Sequence, residues 1–256
     1  MCLILLGYRA HPRYHLIVAA NRDEFFRRPT APAAWWGRRS GVLGGRDLEA
    51  GGTWLGVARS GRFAALTNFR DPPSHRADAP SRGGLVTGFL ESEQSPQAYL
   101  DALVPQADAY NGFNLLVADN NRLLGFCNRG EGVQRLASGI HGISNGILDE
   151  PWPKVDKGRA ALAAAIDPNL EPEIETLLTL LMDRSLANEA DLPDTGIGEE
   201  WERLLSARFI AAPGYGTRCS TVLLWDVDGQ VRFVERSFNE QGTVSASVDF
   251  SFQVLN

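Results

Sequence analysis

The chain contains 256 residues, a length that suits one large domain or two small ones. Its hydrophobic fraction of 44% and charged fraction of 22% are normal for a globular protein, so a core of ordinary size can form. A net charge of −6 excludes the basic surface that nucleic acid or an anionic membrane would require.

The amino-terminal segment is apolar but short. The apolar run 2–6 is followed by Gly7 and Arg9, and no basic segment precedes it. A secretory signal peptide needs a basic start and a longer apolar core. No stretch approaches the ~20 apolar residues of a membrane-spanning helix. We therefore expect a cytoplasmic protein without integral membrane association.

The three cysteines, Cys2, Cys127 and Cys219, are odd in number and widely spaced, which argues against a disulfide framework. His11 and His15 are four residues apart, but the intervening proline disfavours the helix that would put both on one face. The sequence therefore predicts neither a structural zinc site nor another metal site.

The first predicted elements are two strands, residues 2–8 and 14–20. Strands this close in the sequence most simply form an antiparallel hairpin. A turn centred near His11 would put Cys2 opposite Ala20. The polar residues 21–24 would then follow the end of the second strand, at the same sheet edge as Cys2.

The rest of the chain alternates between strand and helix patterns. Residues 29–52, rich in glycine, proline and tryptophan, are interpreted as loop. Helices are predicted from Pro96 to Leu103 and over 153–166, 173–182 and 199–207. Further strands are predicted over 53–58, 62–68, 113–118, 122–128, 133–136, 140–144, 220–226, 231–237 and 245–254. This order predicts one α+β domain, residues 1–256, built on largely antiparallel sheets.

Cys2 is the first candidate for chemistry. Initiator methionine is usually removed before a small residue, which would leave Cys2 with a free α-amino group beside its thiol. An α-amine titrates near ~8 and a thiol near ~8.5, so the amine could accept the thiol proton. From position alone a buried, inert cysteine is the better interpretation. The neighbouring charges favour a site, because Arg22 could stabilise a thiolate.

The segment Asn21-Arg22-Asp23-Glu24, close after Cys2, resembles the signature of the Transport and Golgi Organization 2 (NRDE-domain) family. Residues 51–56, 65–70, 144–145 and 215–218 are also similar to that family, so the resemblance extends from residue 2 to about 218. The family in turn resembles N-terminal-nucleophile (Ntn) hydrolases with an amino-terminal cysteine, such as penicillin V acylases and bile salt hydrolases. This resemblance implies a four-layer αββα sandwich.

The resemblance to the hydrolases also implies a set of site residues: Cys2, Arg22, Asp23, Asn68, Asn145 and Arg218. The hydrolases carry Arg-Asn-x-Asp where this chain has Asn-Arg-Asp-Glu, so either Asp23 or Glu24 could be the carboxylate. Asn68 and Asn145 would bind an oxyanion, although both could simply form turns. Arg218 would balance the thiolate or a substrate carboxylate, and a surface arginine at a strand edge is the alternative.

Two functions follow from these residues. The first is an amidohydrolase that cleaves a non-peptide C–N amide of a small molecule through an acyl-enzyme on Cys2, without a metal or an organic cofactor. The second is a non-catalytic binding or trafficking protein for a lipid-like ligand or haem. Eukaryotic members of the family are associated with Golgi organisation and haem homeostasis, which favours the second. Nucleic acid is not expected as a partner, and the sequence leaves the oligomeric state open.

Overall fold

The fold is described from a computed structural model, in which residues 2–37 and 41–255 are described. The strands, in chain order, are β1 (Cys2–His11), β2 (Tyr14–Phe25), β3 (Thr30–Trp35), β4 (Val42–Asp47), β5 (Leu55–Ala58), β6 (Arg62–Asn68), β7 (Phe113–Ala118), β8 (Leu123–Cys127), β9 (Gly132–Arg135), β10 (Gly139–Ile143), β11 (Ala211–Ala212), β12 (Tyr215–Asp226), β13 (Gln230–Phe238) and β14 (Val244–Gln253). The helices are α1 (Gly83–Glu91), α2 (Pro96–Leu103), α3 (Pro153–Ala165), α4 (Ile174–Leu181) and α5 (Glu199–Leu204). Short 3-10 turns occur at Pro72–Ser74, Val104–Ala109 and Glu189–Asp191.

The strands form two antiparallel sheets. The first sheet has the order β10-β1-β2-β12-β13-β14, with β11 paired to the start of β12. The second has the order β3-β4-β5-β6-β7-β8-β9. The amino-terminal hairpin β1–β2 therefore lies in the interior of the first sheet, with neighbours on both sides.

The molecule has four layers because each sheet buries both faces. Side chains such as Ile4, Phe63 and Phe233 pack between the sheets. The outer face of the second sheet is covered by α1 and α2. The outer face of the first sheet is covered by α3 and α4. This arrangement confirms the predicted α+β class and its αββα layers. In the described part of the chain, no helix is long and apolar enough to cross a membrane.

The predicted hairpin is present, but its predicted register is wrong by two residues. His11 pairs with Tyr14, and a register shift between Tyr8 and His11 puts Cys2 opposite Arg22, where the sequence predicted roughly Ala20. Moving the centre of an antiparallel turn by one residue moves every cross-strand partner by two. In addition β2 continues to Phe25, so the polar residues 21–24 belong to the strand and do not follow its end.

Four strands and helices were not predicted, and one of them is the two-residue strand β11. The interpretation of residues 29–52 as loop is wrong for β3 and β4, and helix α1 had no predicted counterpart. Helix α1 contains three glycines, which weaken its intrinsic propensity. It forms because Leu85, Val86, Phe89 and Leu90 are buried against the second sheet. The predicted strand 220–226 also begins earlier, at Tyr215, and the predicted strand 53–58 begins at Leu55. The remaining predicted elements differ from the observed ones only at their ends.

Candidate functional site

A cavity of about 560 Å³ opens between the two sheets at the start of β1. It is lined by residues of both sheets and by the segment 75–83, which leads into α1. Five of the six predicted site residues line it, namely Cys2, Arg22, Asp23, Asn68 and Arg218. Asn145 is not among its lining residues.

Cys2 is the first residue of β1, and its side chain lies on the face between the sheets together with Ile4 and Leu6. Only 7% of the residue is exposed, and the Ser144 hydroxyl donates to its carbonyl oxygen at 2.9 Å. Burial raises the pKa of the Cys2 thiol, the Asp23 carboxylate raises it further, and the Arg22 guanidinium lowers it. The thiol therefore needs a nearby base before it can act as a nucleophile.

Arg22 lies directly between two cysteines, because it pairs with Cys2 on one neighbouring strand and with Cys219 on the other. Its Nη2 donates to Oδ2 of Asp47 at 3.2 Å, and Oε2 of Glu24 lies 3.9 Å from the same nitrogen. Its Nη1 is buried and has no hydrogen-bond partner within the described residues. One donor of the guanidinium is therefore not used by the described part of the protein, on the residue that pairs with Cys2.

Asp23 and Glu24 lie in different surroundings, because successive residues of β2 point to opposite faces. Asp23 is 1% exposed, and its Oδ1 accepts from the Thr217 hydroxyl at 2.8 Å. Burial raises the pKa of Asp23, and the charge of Lys154 opposes that rise. The Glu24 side chain is 23% exposed, and one of its oxygens accepts from the backbone N–H of Phe25. Of the two carboxylates, Asp23 has the greater effect on the Cys2 thiol.

Asn68 and Asn145 are brought together, but only Asn68 lines the cavity. The Asn145 side chain is buried, and its Nδ2 donates to the backbone carbonyl of Asn68 at 2.8 Å. Its own backbone carbonyl accepts from the N–H of Arg70 at 2.7 Å. Asn145 thus holds the end of β6 in place through these two hydrogen bonds. The oxyanion role of the two residues stays a prediction, and the geometry favours Asn68 as the direct donor.

Arg218 lines the cavity, and most of its donors bind the protein itself. Its Nη1 donates to the carbonyl oxygens of Phe25 and Arg28, each at 2.9 Å, and Nη2 donates to the Thr30 hydroxyl at 3.1 Å. The guanidinium also lies over the Phe26 ring, 5.0 Å from its centroid. Arg218 therefore fixes the connection between β2 and β3, which is one side of the cavity.

Lys154 was missed by the sequence analysis. It lies in the first turn of α3, is 3% exposed, and has no hydrogen-bond partner for Nζ within the described residues. Burial lowers the pKa of Lys154 to about 8, and the charge of Asp23 opposes that shift. Its four-residue spacing to Gly158 and Leu162, both buried, was the available signal, since it places the lysine on the buried helix face.

Arg82 was also missed. It immediately precedes α1, lines the cavity, and donates from Nη1 to the carbonyl oxygen of Gly112 at 2.8 Å. Burial lowers the pKa of Arg82, and the charge of the Cys2 thiolate would raise it. No motif marked this arginine, because the helix that positions it was itself not predicted.

Comparison with known proteins identifies the family. The family model described as Transport and Golgi organisation 2 matches residues 1–240. The chain belongs to this family. Its relatives include the Transport and Golgi organization protein 2 homologs of Bos taurus (40% identity, 93% of each chain) and Homo sapiens (38% identity, 94% of each chain). The Transport and Golgi organization protein 2 of Drosophila melanogaster is 30% identical over 93% of this chain and 92% of its own. The sequence-based resemblance is thereby confirmed.

Solved structures similar to this member of the Transport and Golgi organisation 2 family are Ntn hydrolases. One variant of conjugated bile acid hydrolase from Clostridium perfringens has a TM-score of 0.52 and 10% identity, over 97% of this chain and 92% of its own. A second variant of that enzyme has a TM-score of 0.51 and 9% identity, over 99% and 97%. At such low identity the similarity establishes the Ntn-hydrolase fold and leaves the reaction open.

Proposed function

We propose that this protein is an Ntn amidohydrolase that cleaves a C–N amide other than a peptide bond in a small molecule. One observation carries the proposal. Cys2, the residue that follows the initiator methionine, begins a strand in the interior of a sheet and lines a cavity with Arg22 directly opposite. Removal of Met1 would expose an α-amine and a thiol on one residue in that cavity.

The reaction proceeds in two halves. The α-amine of Cys2 takes the thiol proton, and the thiolate forms a bond with the carbonyl carbon of the substrate. Collapse of the tetrahedral intermediate breaks the C–N bond, and the leaving amine takes the proton. Water then attacks the thioester and the S–C bond breaks. The carboxylic acid leaves, and the Cys2 sulfur regains a proton from the water.

The surrounding residues support this chemistry in different ways. Arg22 opposes the effect of burial on the thiol pKa. Asp23 is a buried carboxylate whose charge acts on Cys2, and it would orient an ammonium formed there. Asn68 lines the cavity and could donate to the oxyanion. Asn145 and Arg218 act as positioning residues, through the Asn68 carbonyl and the β2–β3 connection.

The proposal is tested with untagged protein. Intact mass should show a chain that begins at Cys2. Incubation with a panel of N-acyl compounds should release amine and, after rapid quenching, leave an acyl adduct on the Cys2 peptide. The Cys2→Ala protein should form no adduct and release no amine. Retention of Met1 in active protein, or turnover by Cys2→Ala, would contradict the mechanism.

A second candidate function is a non-catalytic binding or trafficking protein for a lipid-like ligand or haem. It is favoured by the names of relatives 30–40% identical over nearly the whole chain, which refer to transport and Golgi organisation. Binding needs the cavity and no proton acceptor at residue 2. Under this alternative Cys2→Ala binds the ligand as well as the unmodified protein does, and no N-acyl compound is turned over.

A further inference from the structure

The charges that line the cavity are paired unequally. Within the described residues, ion pairs between cavity-lining charges involve two arginines, Arg22 and Arg28, which bind Asp47, Glu24 and Glu49. Four further arginines line the cavity without an ion pair in that part of the chain, namely Arg46, Arg76, Arg82 and Arg218. Five carboxylates line the same cavity, Asp23 and Glu235 among them, so its six arginines exceed its carboxylates by one.

Arg82 is the member of this set best placed to bind a ligand near Cys2. It is half-buried, and Nη1 is its one nitrogen with an assigned acceptor, the Gly112 carbonyl. The groups that act on its charge are the Cys2 thiol, Glu24 and Arg28. The Glu24 charge stabilises this guanidinium from a distance without forming an ion pair with it. A guanidinium that is partly withdrawn from water gains further from an anion that binds it directly.

The start of α1 adds a second source of positive potential at the same place. Arg82 occupies the position before the helix, its side chain makes no capping hydrogen bond, and the first turn contains no acidic residue. The first N–H groups of a helix have no partner inside it and carry a partial positive charge. Gly83, the first helical residue, also lines the cavity.

The backbone of residues 51–52 packs against the start of this helix, and its two glycines offer no side chain to cap it. A Cβ on Gly52 would lie 2.5 Å from the carbonyl carbon of Gly83, so the two backbones are in direct contact. A side chain long enough to cap the helix could not grow from this position. Arg22 also lines the cavity and is 8% exposed, and within the described residues its buried Nη1 has no hydrogen-bond partner.

We propose that Arg82 and the start of α1 form an anion-binding subsite beside Cys2, and that the substrate is an amide carrying a carboxylate close to its scissile bond. The substrate assignment rests on the amidohydrolase function proposed above. The subsite itself concerns binding and does not depend on turnover. The fork of a guanidinium matches the two oxygens of a carboxylate, which makes Arg82 the specificity-determining residue.

The other unpaired arginines provide the control. Arg218 is held by three hydrogen bonds to the β2–β3 connection. Arg76 lines the same cavity, is exposed, and donates from Nη2 to the carbonyl oxygens of Asp108 and Ala109. Arg76→Gln therefore removes one positive charge from the cavity without touching the proposed subsite.

The test compares N-octanoylglycine with its neutral analogue N-octanoylglycinamide. Their affinities for Cys2→Ala protein are measured by calorimetry, so that turnover plays no part. We expect the carboxylate to bind at least about tenfold more tightly, as expected for one charge-assisted hydrogen bond. Combining Arg82→Gln with Cys2→Ala should abolish this preference and leave the affinity for N-octanoylglycinamide unchanged. Arg82→Lys should keep part of the preference, and Arg76→Gln should keep nearly all of it.

Each outcome bears on the subsite. Equal affinities for the two ligands in Cys2→Ala protein would overturn it, and so would an equal loss of preference in Arg82→Gln and Arg76→Gln. If Arg82→Gln lowers the affinities for both ligands equally, the guanidinium shapes the cavity and does not select the anion. That result would also overturn the proposed subsite. The carboxylate preference can also be present in a protein that turns over no amide. That result supports the subsite and contradicts only the amidohydrolase proposal.

Discussion

Arg22 controls the charge around two thiols at once. Its strand lies between those of Cys2 and Cys219, and its guanidinium lowers the pKa of both, against the larger effect of burial. Arg28 is a natural comparison, since it binds the same Asp47 carboxylate but is not paired with a cysteine. The two arginines thus separate a local effect on the thiol from a general effect of cavity charge.

We expect Arg22→Gln to raise the pKa of Cys2 and Arg28→Gln to change it little. Loss of one neighbouring cation corresponds to roughly one pKa unit. Iodoacetamide labelling of Cys2, followed across pH by mass spectrometry, should then slow about tenfold below the thiol pKa in Arg22→Gln, since each unit is tenfold in thiolate. Equal shifts in both variants would mean that Arg22 has no special relation to the thiol.

Burial of Lys154 should make the free energy of unfolding depend on pH. Its pKa falls from an ordinary value near 10.5 to about 8 because burial disfavours the ammonium. Asp23 and Glu202 oppose this shift, while Arg70 adds to it. Between these two pH values the unfolded chain binds the proton and the folded chain does not. Stability contributed by this group therefore rises with pH across that window.

Lys154→Met should remove this rise. Between pH 8 and 10 the free energy of unfolding of Lys154→Met should rise less steeply with pH than that of the unmodified protein. The difference in slope should be up to about 1.4 kcal/mol per pH unit. Lys157→Met is the matched control, because Lys157 is exposed on the same helix. Urea unfolding at pH 8, 9 and 10 measures the difference. An unchanged slope in Lys154→Met would show that the lysine is not deprotonated on folding in this range.

At the scale of elements, the sequence predicts what local patterns determine and misses what packing determines. Helix α2 forms where its sequence pattern predicts it. Ser95 is its N-cap and accepts a hydrogen bond from the N–H of Ala98, and Pro96 is its first residue. Strands β6 and β7 follow their apolar runs. In contrast, β3 and β4 lie in a sequence rich in breakers and exist because the second sheet extends to include them. The hairpin register depends on the turn and on an irregularity between Tyr8 and His11, and the sequence pattern could fix neither.

Two glycines in residues 44–52 are required by close contacts, one within strand β4 and one in the connection that follows it. A Cβ on Gly44 would lie 2.7 Å from the Leu55 carbonyl oxygen, within the β4–β5 pair. Gly52 contacts the backbone of Gly83, as described above. In contrast, a Cβ on Gly84, one residue further along α1, would meet nothing within 4 Å. Glycine is therefore necessary at some of these positions and replaceable at others.

We predict opposite effects of two alanine substitutions. Gly52→Ala should lower the free energy of unfolding by about 1–3 kcal/mol, because backbone must move to admit the methyl group. Gly84→Ala should raise it by up to about 1 kcal/mol, since alanine is the better helix former in open space. Urea denaturation of both variants checks the pair. A Gly52→Ala protein as stable as the unmodified chain would contradict the close approach of the motif to α1.

For the molecule as a whole, the candidate site combines residues that are distant in sequence. Cys2 and Arg22 come from the first hairpin, Asn68 from the second sheet, Arg82 from the start of α1, and Arg218 from β12. The family resemblance supplied most of these residues. Arg82 could be found only from the packing, because no local pattern distinguishes a charge that faces a cavity from one that faces water. For Lys154 the helical spacing to Gly158 and Leu162 was the one available signal. The αββα arrangement matters for function because it brings the start of β1 to the cavity between the sheets.

The position of that strand leads to the last prediction, which separates catalysis from binding. In the amidohydrolase the base is the α-amine of Cys2, so the amino terminus must be free. An uncleavable amino-terminal extension converts the amine into an amide, which has no useful basicity, and also fills space beside a residue that is already 7% exposed. We expect this extension and Cys2→Ala each to abolish amine release from any amide substrate, measured with a fluorogenic amine reagent. The same extension after residue 256 should leave the activity intact and serves as the control. Full activity in the amino-terminally blocked protein would rule out the N-terminal-nucleophile mechanism even though the fold is that of an Ntn hydrolase.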